Sequence, residues 1–187
     1  MDKAILVVDM SNDFVHPEGS VSIPQEFAKP ALENAKKLID FAREKDWKIV
    51  YVPDTHEKDD FESCAKLRGL TKHCIRGTWG WQVAEQIAPK EDDVLVEKIK
   101  YSGFLKTKLD ETLKNLGIKE LFVIGVYSSI CVLCTTIDAH QRDYKVTIIK
   151  DCMAADTLEN NNRGIATMED VCHTKAIVLT EFLEKNK

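Results

Sequence analysis

The stretch Leu121-Phe122-Val123-Ile124-Gly125-Val126-Tyr127-Ser128-Ser129-Ile130-Cys131 decides the fold. Its first six residues form a short apolar run rich in strand formers, which reads as a parallel strand buried on both faces. Residues 132–142 follow with a helical pattern. Cys131 therefore lies where a strand hands over to a helix. There a thiol meets backbone N–H groups and the positive end of the helix dipole, and both favour the nucleophilic thiolate.

Working outward, the same alternation recurs along the chain. Strands are expected over residues 4–8, 48–53, 93–97, 121–126, 145–150 and 176–179. Helical patterns fall over 26–45, 79–87, 105–116 and 160–170, with a short helix at the end. Gly117 is placed to cap the helix over 105–116, and residues 54–78 carry no strong periodicity. The pattern predicts an α/β fold of three layers, α/β/α, around a central, mostly parallel six-stranded sheet of Rossmann-like type. No repeat, linker or low-complexity segment interrupts it, so residues 1–187 are expected to form a single domain.

Bulk composition narrows the partners. Of 187 residues, 44% are hydrophobic and 30% charged, and the net charge of -5 argues against nucleic acid or an anionic membrane as the main partner. No apolar run approaches the roughly 20 residues of a membrane span. The strand over 4–8 begins almost at once, which leaves no signal-peptide pattern. Six cysteines (64, 74, 131, 134, 152 and 172) are too sparse for a disulfide scaffold, so a reduced, cytoplasmic protein is expected.

In such a sheet, function gathers beyond the C-terminal strand ends. Those positions carry Asp9, Asp54, Lys98, the Cys131 turn and Asp151. Asp9, after five apolar residues, reads equally as a general base for a thiol or as a structural carboxylate capping its loop. Lys98 reads as a cation that favours thiolate, or as an ordinary snorkelling lysine; alternation points Lys100 the same way. Cys131-x-x-Cys134 could form a redox pair, but Val132 and Leu133 fill the gap where such pairs use Gly or Pro, and Cys134 is expected to pack one turn on. Asp54-x-His56 projects a carboxylate and an imidazole to one side of an extended segment. With His73 they make a donor set with open positions, the pattern of a catalytic rather than a structural metal site. The plainer alternative is a loop aspartate with two surface histidines, and His16 and His140 are possible substitutes.

Together these segments resemble the isochorismatase-like cysteine hydrolases, and within them the nicotinamidases. The motifs are Val8-Asp9-Met10-Ser11-Asn12-Asp13-Phe14, Lys98-Ile99-Lys100-Tyr101-Ser102-Gly103-Phe104, residues 125–131, and Asp54-x-His56 with His73-Cys74-x-x-Gly77-Thr78-x-Gly80. The resemblance implies Asp9, Lys98 and Cys131 as catalytic residues, with Lys98 favoured over Lys100. It implies a cis peptide between Val126 and Tyr127 and an oxyanion site from the backbone N–H groups of Tyr127 and Cys131. It further implies a divalent metal at Asp54, His56 and His73, zinc first and iron or manganese as alternatives.

The resemblance also points to nicotinamide hydrolysis through a thioester, as part of NAD salvage, and to homo-oligomers. Phe14 and Tyr101 are the expected walls of the substrate pocket. The chain departs from the nicotinamidase pattern at Ser128-Ser129, at Thr55 and at Leu70, where that subfamily often places an aromatic pocket wall. The alternative within the superfamily is a metal-independent cysteine amidase acting on an N-carbamoyl, ureido or other small amide. A Cys131–Cys134 redox protein and a catalytically silent binding domain are rivals of other classes.

Overall fold

A computed structural model describes residues 2–59 and 69–187; Asp60 and Cys64 lie outside the described residues. Six strands form one sheet: β1 (Lys3–Val8), β2 (Lys48–Val52), β3 (Val94–Leu95), β4 (Glu120–Val126), β5 (Lys145–Ala154) and β6 (Ala176–Ile177). They lie in the order β3-β2-β1-β4-β5-β6, and every neighbouring pair is parallel. The central strands β1 and β4 run in long register, from Lys3 opposite Glu120 to Val8 opposite Gly125.

Strand alternation builds two cores. On one face Ile5, Val7, Phe122, Ile124 and Val126 pack with α1 (Asn12–Val15), α2 (Gln25–Glu44) and the last helix, here α6 (Leu179–Lys185). On the other, Ala4, Leu6, Val8, Leu121 and Val123 pack with α3 (Leu109–Asn115), α4 (Leu133–His140) and α5 (Leu158–Cys172). This is the expected three-layer sandwich. No helix among the described residues is long and apolar enough to cross a membrane.

Several boundaries differ from expectation for identifiable reasons. The helix expected over 79–87 is a single 3-10 turn, Glu85–Ile87, because that chain is pinned instead to α1: Asn12 N–H donates to Gln82 O at 2.9 Å and Asp13 N–H to Gly80 O at 2.9 Å. The third strand has only two residues in regular pairing, yet its line continues through an isolated parallel bridge between Asp54 and Lys98. β5 runs on to Ala154, past a register irregularity opposite residues 123–125. Asp151 is therefore inside a strand, and its carboxylate accepts from Leu179 N–H at 2.7 Å instead of serving the rim.

The order places the topological switch point between β1 and β4, where the chain, having moved outward through β2 and β3, returns to the other side of β1. A crevice opens there, beyond the C-terminal strand ends.

Candidate active site

Close approach of β1 and β4 requires Gly125. It sits at φ 133°, and a Cβ on it would lie 2.0 Å from the carbonyl oxygen of Val8. Immediately beyond, Asp9 adopts φ 54°, a left-handed conformation costing on the order of 1–2 kcal/mol for a residue with a Cβ. β4 leads through a cis Val126–Tyr127 peptide, as the resemblance implied, into one π-helical turn, Ser128–Val132, and then α4. Cys131 thus sits inside that first turn, not ahead of the helix. Tyr127 O accepts from Ile130 N–H at 3.0 Å and Val132 N–H at 3.2 Å, which closes the turn. Behind it α5 approaches through Gly164, where a Cβ would come within 2.7 Å of Ser128 O and of Ser129 Cα.

Three chain segments meet at the crevice. Asp9 is 1%, Lys98 2% and Cys131 9% exposed. Lys98 Nζ lies 2.7 Å from Asp9 Oδ2 and points at Cys131 Sγ at 3.7 Å. Asp9 Oδ1 accepts from Asp54 N–H at 2.6 Å. Backbone pairing delivers Lys98: Thr55 N–H donates to Lys98 O at 2.8 Å and Lys98 N–H to Pro53 O at 3.1 Å. Lys100 lines the same cavity, as alternation required, but is only half-buried.

Electrostatics correct one expectation. Burial pushes the Cys131 thiol well above its ordinary range; Lys98 opposes this, and Asp9 and Asp54 add to it. The ammonium does not leave a resting thiolate, because desolvating an anion outweighs it. Burial also raises the Asp9 carboxyl to about 6, with Lys98 pulling down and Asp54 pushing up. Burial disfavours the Lys98 ammonium, but Asp9, Cys131 and Asp54 outweigh it and hold its pKa above the ordinary lysine range. The resting triad is therefore thiol, carboxylate and ammonium.

Asp54, His56 and His73 also converge, their ligand atoms all within 4.8 Å of one another. His56 Nε2 is 3.0 Å and His73 Nε2 3.3 Å from Asp54 Oδ2. Zinc bonds of about 2.0–2.2 Å put tetrahedral ligand atoms roughly 3.3–3.6 Å apart, close to this spacing. His73 Nδ1 lies 2.7 Å from Thr71 O; donating there leaves Nε2 with its lone pair inward, as ligating histidines require. Burial would raise the Asp54 pKa, yet Lys98 and the two imidazoles hold it below the carboxylate range. Its other oxygen, Oδ1, is 3.8 Å from Lys98 Nζ, so one carboxylate joins the donor set to the triad. His16 packs on Trp79 instead, with ring centroids 4.8 Å apart, and His140 lines a groove at the opposite end of the sheet.

A cavity of about 30 Å³ connects these groups, walled by Phe14, Leu70, Ile99, Lys100, Tyr101 and Tyr127. Phe14 meets His73 and Tyr127 edge-on at 5.4 and 5.8 Å. Ile99 was not anticipated, since alternation turns it away from Lys98. Trp79 stands outside the core at 46% exposed. Cys134 is half-buried, and both it and Cys131 are free thiols.

A three-layer α/β fold with thiol, carboxylate and ammonium gathered at its switch point is the plan of a hydrolase. The chain belongs to the isochorismatase family, whose Isochorismatase domain model matches residues 3–180. Among curated relatives, it is 29% identical over 184 residues to the uncharacterized isochorismatase family protein YaaI of Bacillus subtilis, covering 98% of each chain. It is 27% identical over 170 residues to the ureidoacrylate amidohydrolase RutB of Agrobacterium fabrum, covering 80% of this chain and 75% of that one. Among solved structures, nicotinamidase PncA from Bacillus subtilis superposes with TM-score 0.86 at 25% identity, covering 95% of this chain and 100% of that one. N-carbamoylsarcosine amidase from Thermoplasma acidophilum does so with TM-score 0.83 at 32% identity, covering 96% and 97%. The pyrazinamidase of Pyrococcus horikoshii, solved in complex with zinc, gives TM-score 0.82 at 27% identity, covering 95% and 99%.

Proposed function

We propose that the protein is a cysteine amidohydrolase that converts nicotinamide to nicotinate and ammonia. One observation carries this reading: Asp54 links the Asp9–Lys98–Cys131 triad to the Asp54–His56–His73 donor set at the edge of a single aromatic-walled cavity. The pyrazinamidase solved with zinc supports a divalent ion at that set.

Asp9 takes the Cys131 proton as Sγ attacks the carboxamide carbon, so no free buried thiolate is needed at rest. Lys98, 3.7 Å from the sulfur and 2.7 Å from the carboxylate, holds both reacting groups in one field. The N–H groups of Tyr127 and Cys131 face the developing oxyanion; removing such a donor typically costs ~2.7–4 kcal/mol. Protonated Asp9 then passes its proton to departing ammonia, leaving a thioester on Cys131. Asp9, again ionised, deprotonates the water that attacks the thioester carbon, and returns that proton to Cys131 Sγ as the C–S bond breaks and nicotinate leaves. Asp54, His56 and His73 would hold a divalent ion, which would supply a Lewis acid toward the ring nitrogen of the substrate. Phe14 and Tyr101 enclose the ring.

A second reading has its own support. Lys100 on the cavity wall suits a substrate carboxylate, as in a ureido or N-carbamoyl acid, and relatives of that type are similar to this chain. The deciding experiment is ammonia release from nicotinamide, ureido acids and N-carbamoyl amino acids, each before and after chelation. Nicotinamide turnover that chelation abolishes is the expected result. Chelator-resistant turnover of an N-carbamoyl or ureido acid, with nicotinamide untouched, overturns it. Cys131→Ala should abolish turnover and Cys134→Ser should preserve it; loss in the latter would indicate a redox pair.

A further inference from the structure

We propose that Asp13 is a positioning residue for the metal site: its buried carboxylate fixes the peptide that follows His73 and so sets that imidazole against Asp54 and His56. The inference rests on the reading of those three residues as metal ligands.

The three ligands are held differently. Asp54 and His56 lie just beyond β2 and continue its ladder, Asp54 bridging to Lys98 and His56 to Ile75. His73 belongs to a separate loop with no strand of its own. The residue after it, Cys74, has φ 47°, a left-handed conformation that an L-residue adopts only when its surroundings hold it there. Two groups hold the Cys74 peptide units. Cys74 O accepts from His56 N–H at 2.9 Å, and Cys74 N–H donates to Asp13 Oδ2 at 2.7 Å.

Asp13 is itself fixed. Its Oδ1 accepts from Ser20 N–H at 3.0 Å and from Ser20 Oγ at 2.9 Å. Its N–H donates to Gly80 O at 2.9 Å. Gly80 packs so tightly on the carboxylate that a Cβ there would lie 2.2 Å from Oδ2. The segment that runs on from His73 is thus gripped at Cys74 and at Gly80 by one residue of α1, and the next residue, Phe14, meets the His73 ring edge-on. Asp13 holds the backbone beside the ligand, and its charge is also felt at the His73 ring. Asp13→Asn keeps the shape but turns one acceptor into an NH2 donor, which must then face either Cys74 N–H or the Ser20 pair.

The test uses the full chain as wild type, Asp13→Asn, Ser20→Ala and His73→Ala. Zn²⁺ affinity is measured by competition with a chromophoric chelator. On chelator-stripped samples, the rate of Cys131 alkylation by iodoacetamide reports whether the catalytic rim is intact. Asp13→Asn should weaken Zn²⁺ binding by about 10- to 100-fold, the range for loss of a group that orients a ligand. Ser20→Ala, which removes one of the donors to Oδ1, should cost about 2- to 5-fold. Alkylation should stay within about twofold of wild type in both. Zn²⁺ affinity in Asp13→Asn equal to wild type overturns the inference, as does a parallel fall in alkylation, which would mark general disruption. Should Asp13→Asn fail to fold, an unchanged affinity in Ser20→Ala overturns it. A wild type that takes up no Zn²⁺ overturns the metal site itself, and this inference with it.

Discussion

Lowering the pH should switch the enzyme off about two units earlier than an ordinary aspartate would. The base in the proposed chemistry is Asp9, whose carboxyl burial raises from 3.8 to about 6. A general base acts only when ionised, so the rate is lost as pH falls through the folded-state value. At pH 5 a carboxyl of pKa 6 is ionised in roughly one molecule in eleven, so kcat/KM should stand about 10-fold below its neutral plateau; a carboxyl at 3.8 would cost only about 6%. Folding stability moves the other way. A raised carboxyl pKa stabilises the fold most below 3.8, and that contribution is lost as pH rises through about 6. Acid inactivation near pH 5 should therefore not be acid unfolding caused by this group. Two assays separate the base from the metal ligands: kcat/KM for amide hydrolysis at saturating divalent ion, and iodoacetamide alkylation of Cys131 in chelated protein. Alkylation in chelated protein should show an acid limb near 6, and the limb in kcat/KM should lie at or below it, because an ion on Asp54 offsets the charge that helps raise Asp9. A limb near 4 in the alkylation profile, or none above pH 5, would refute Asp9 as the base for the thiol.

Other perturbations follow from the same geometry. Lys98→Met leaves the buried Asp9 and Asp54 carboxylates without their shared cation, and should destabilise the fold by about 3–5 kcal/mol in urea titrations; a loss under 1 kcal/mol would mean the pair is not held as described. Gly164→Ala sets two effects against each other. Helix propensity alone would favour it by about 1 kcal/mol, but the new Cβ would press within 2.7 Å of Ser128 O and Ser129 Cα. Overpacking of about 1–3 kcal/mol should win, lowering the melting temperature and slowing Cys131 alkylation; a rise in melting temperature would show that the nucleophile turn yields freely. His56→Ala should strip bound metal and raise KM while Cys131 alkylation in chelated samples stays near wild type. An unchanged KM would remove the metal from substrate binding.

The parts legible in the sequence share one cause. β1 and β4 are buried on both faces of a parallel sheet, so each must be an unbroken apolar run, and such a run announces itself. Once those strands are placed, Asp9 and the Cys131 turn follow as their C-terminal ends. The third strand is legible over residues 93–97, but only two of them pair regularly, because the neighbouring chain and not local composition sets how far a ladder runs. Lys98 was found through its motif, while its burial depends on a backbone bridge to Asp54. Asp151 followed the same strand-end rule as Asp9 and ended inside β5, since local composition does not show how far a strand continues once a partner supplies its hydrogen bonds.

By itself, then, the chain determined its layering, the order of its elements and the kinds of group at each strand end, because hydrophobic period and turn chemistry are local properties. Tertiary structure alone decided that β4 returns beside β1, that one carboxylate faces both an ammonium and two imidazoles, and that Asp13 reaches across to the loop of His73. It also decided the resting protonation of Cys131. The charges near the sulfur can be guessed from motifs, but desolvation depends on every atom packed around it, and in this fold burial is the largest cause of the raised thiol pKa.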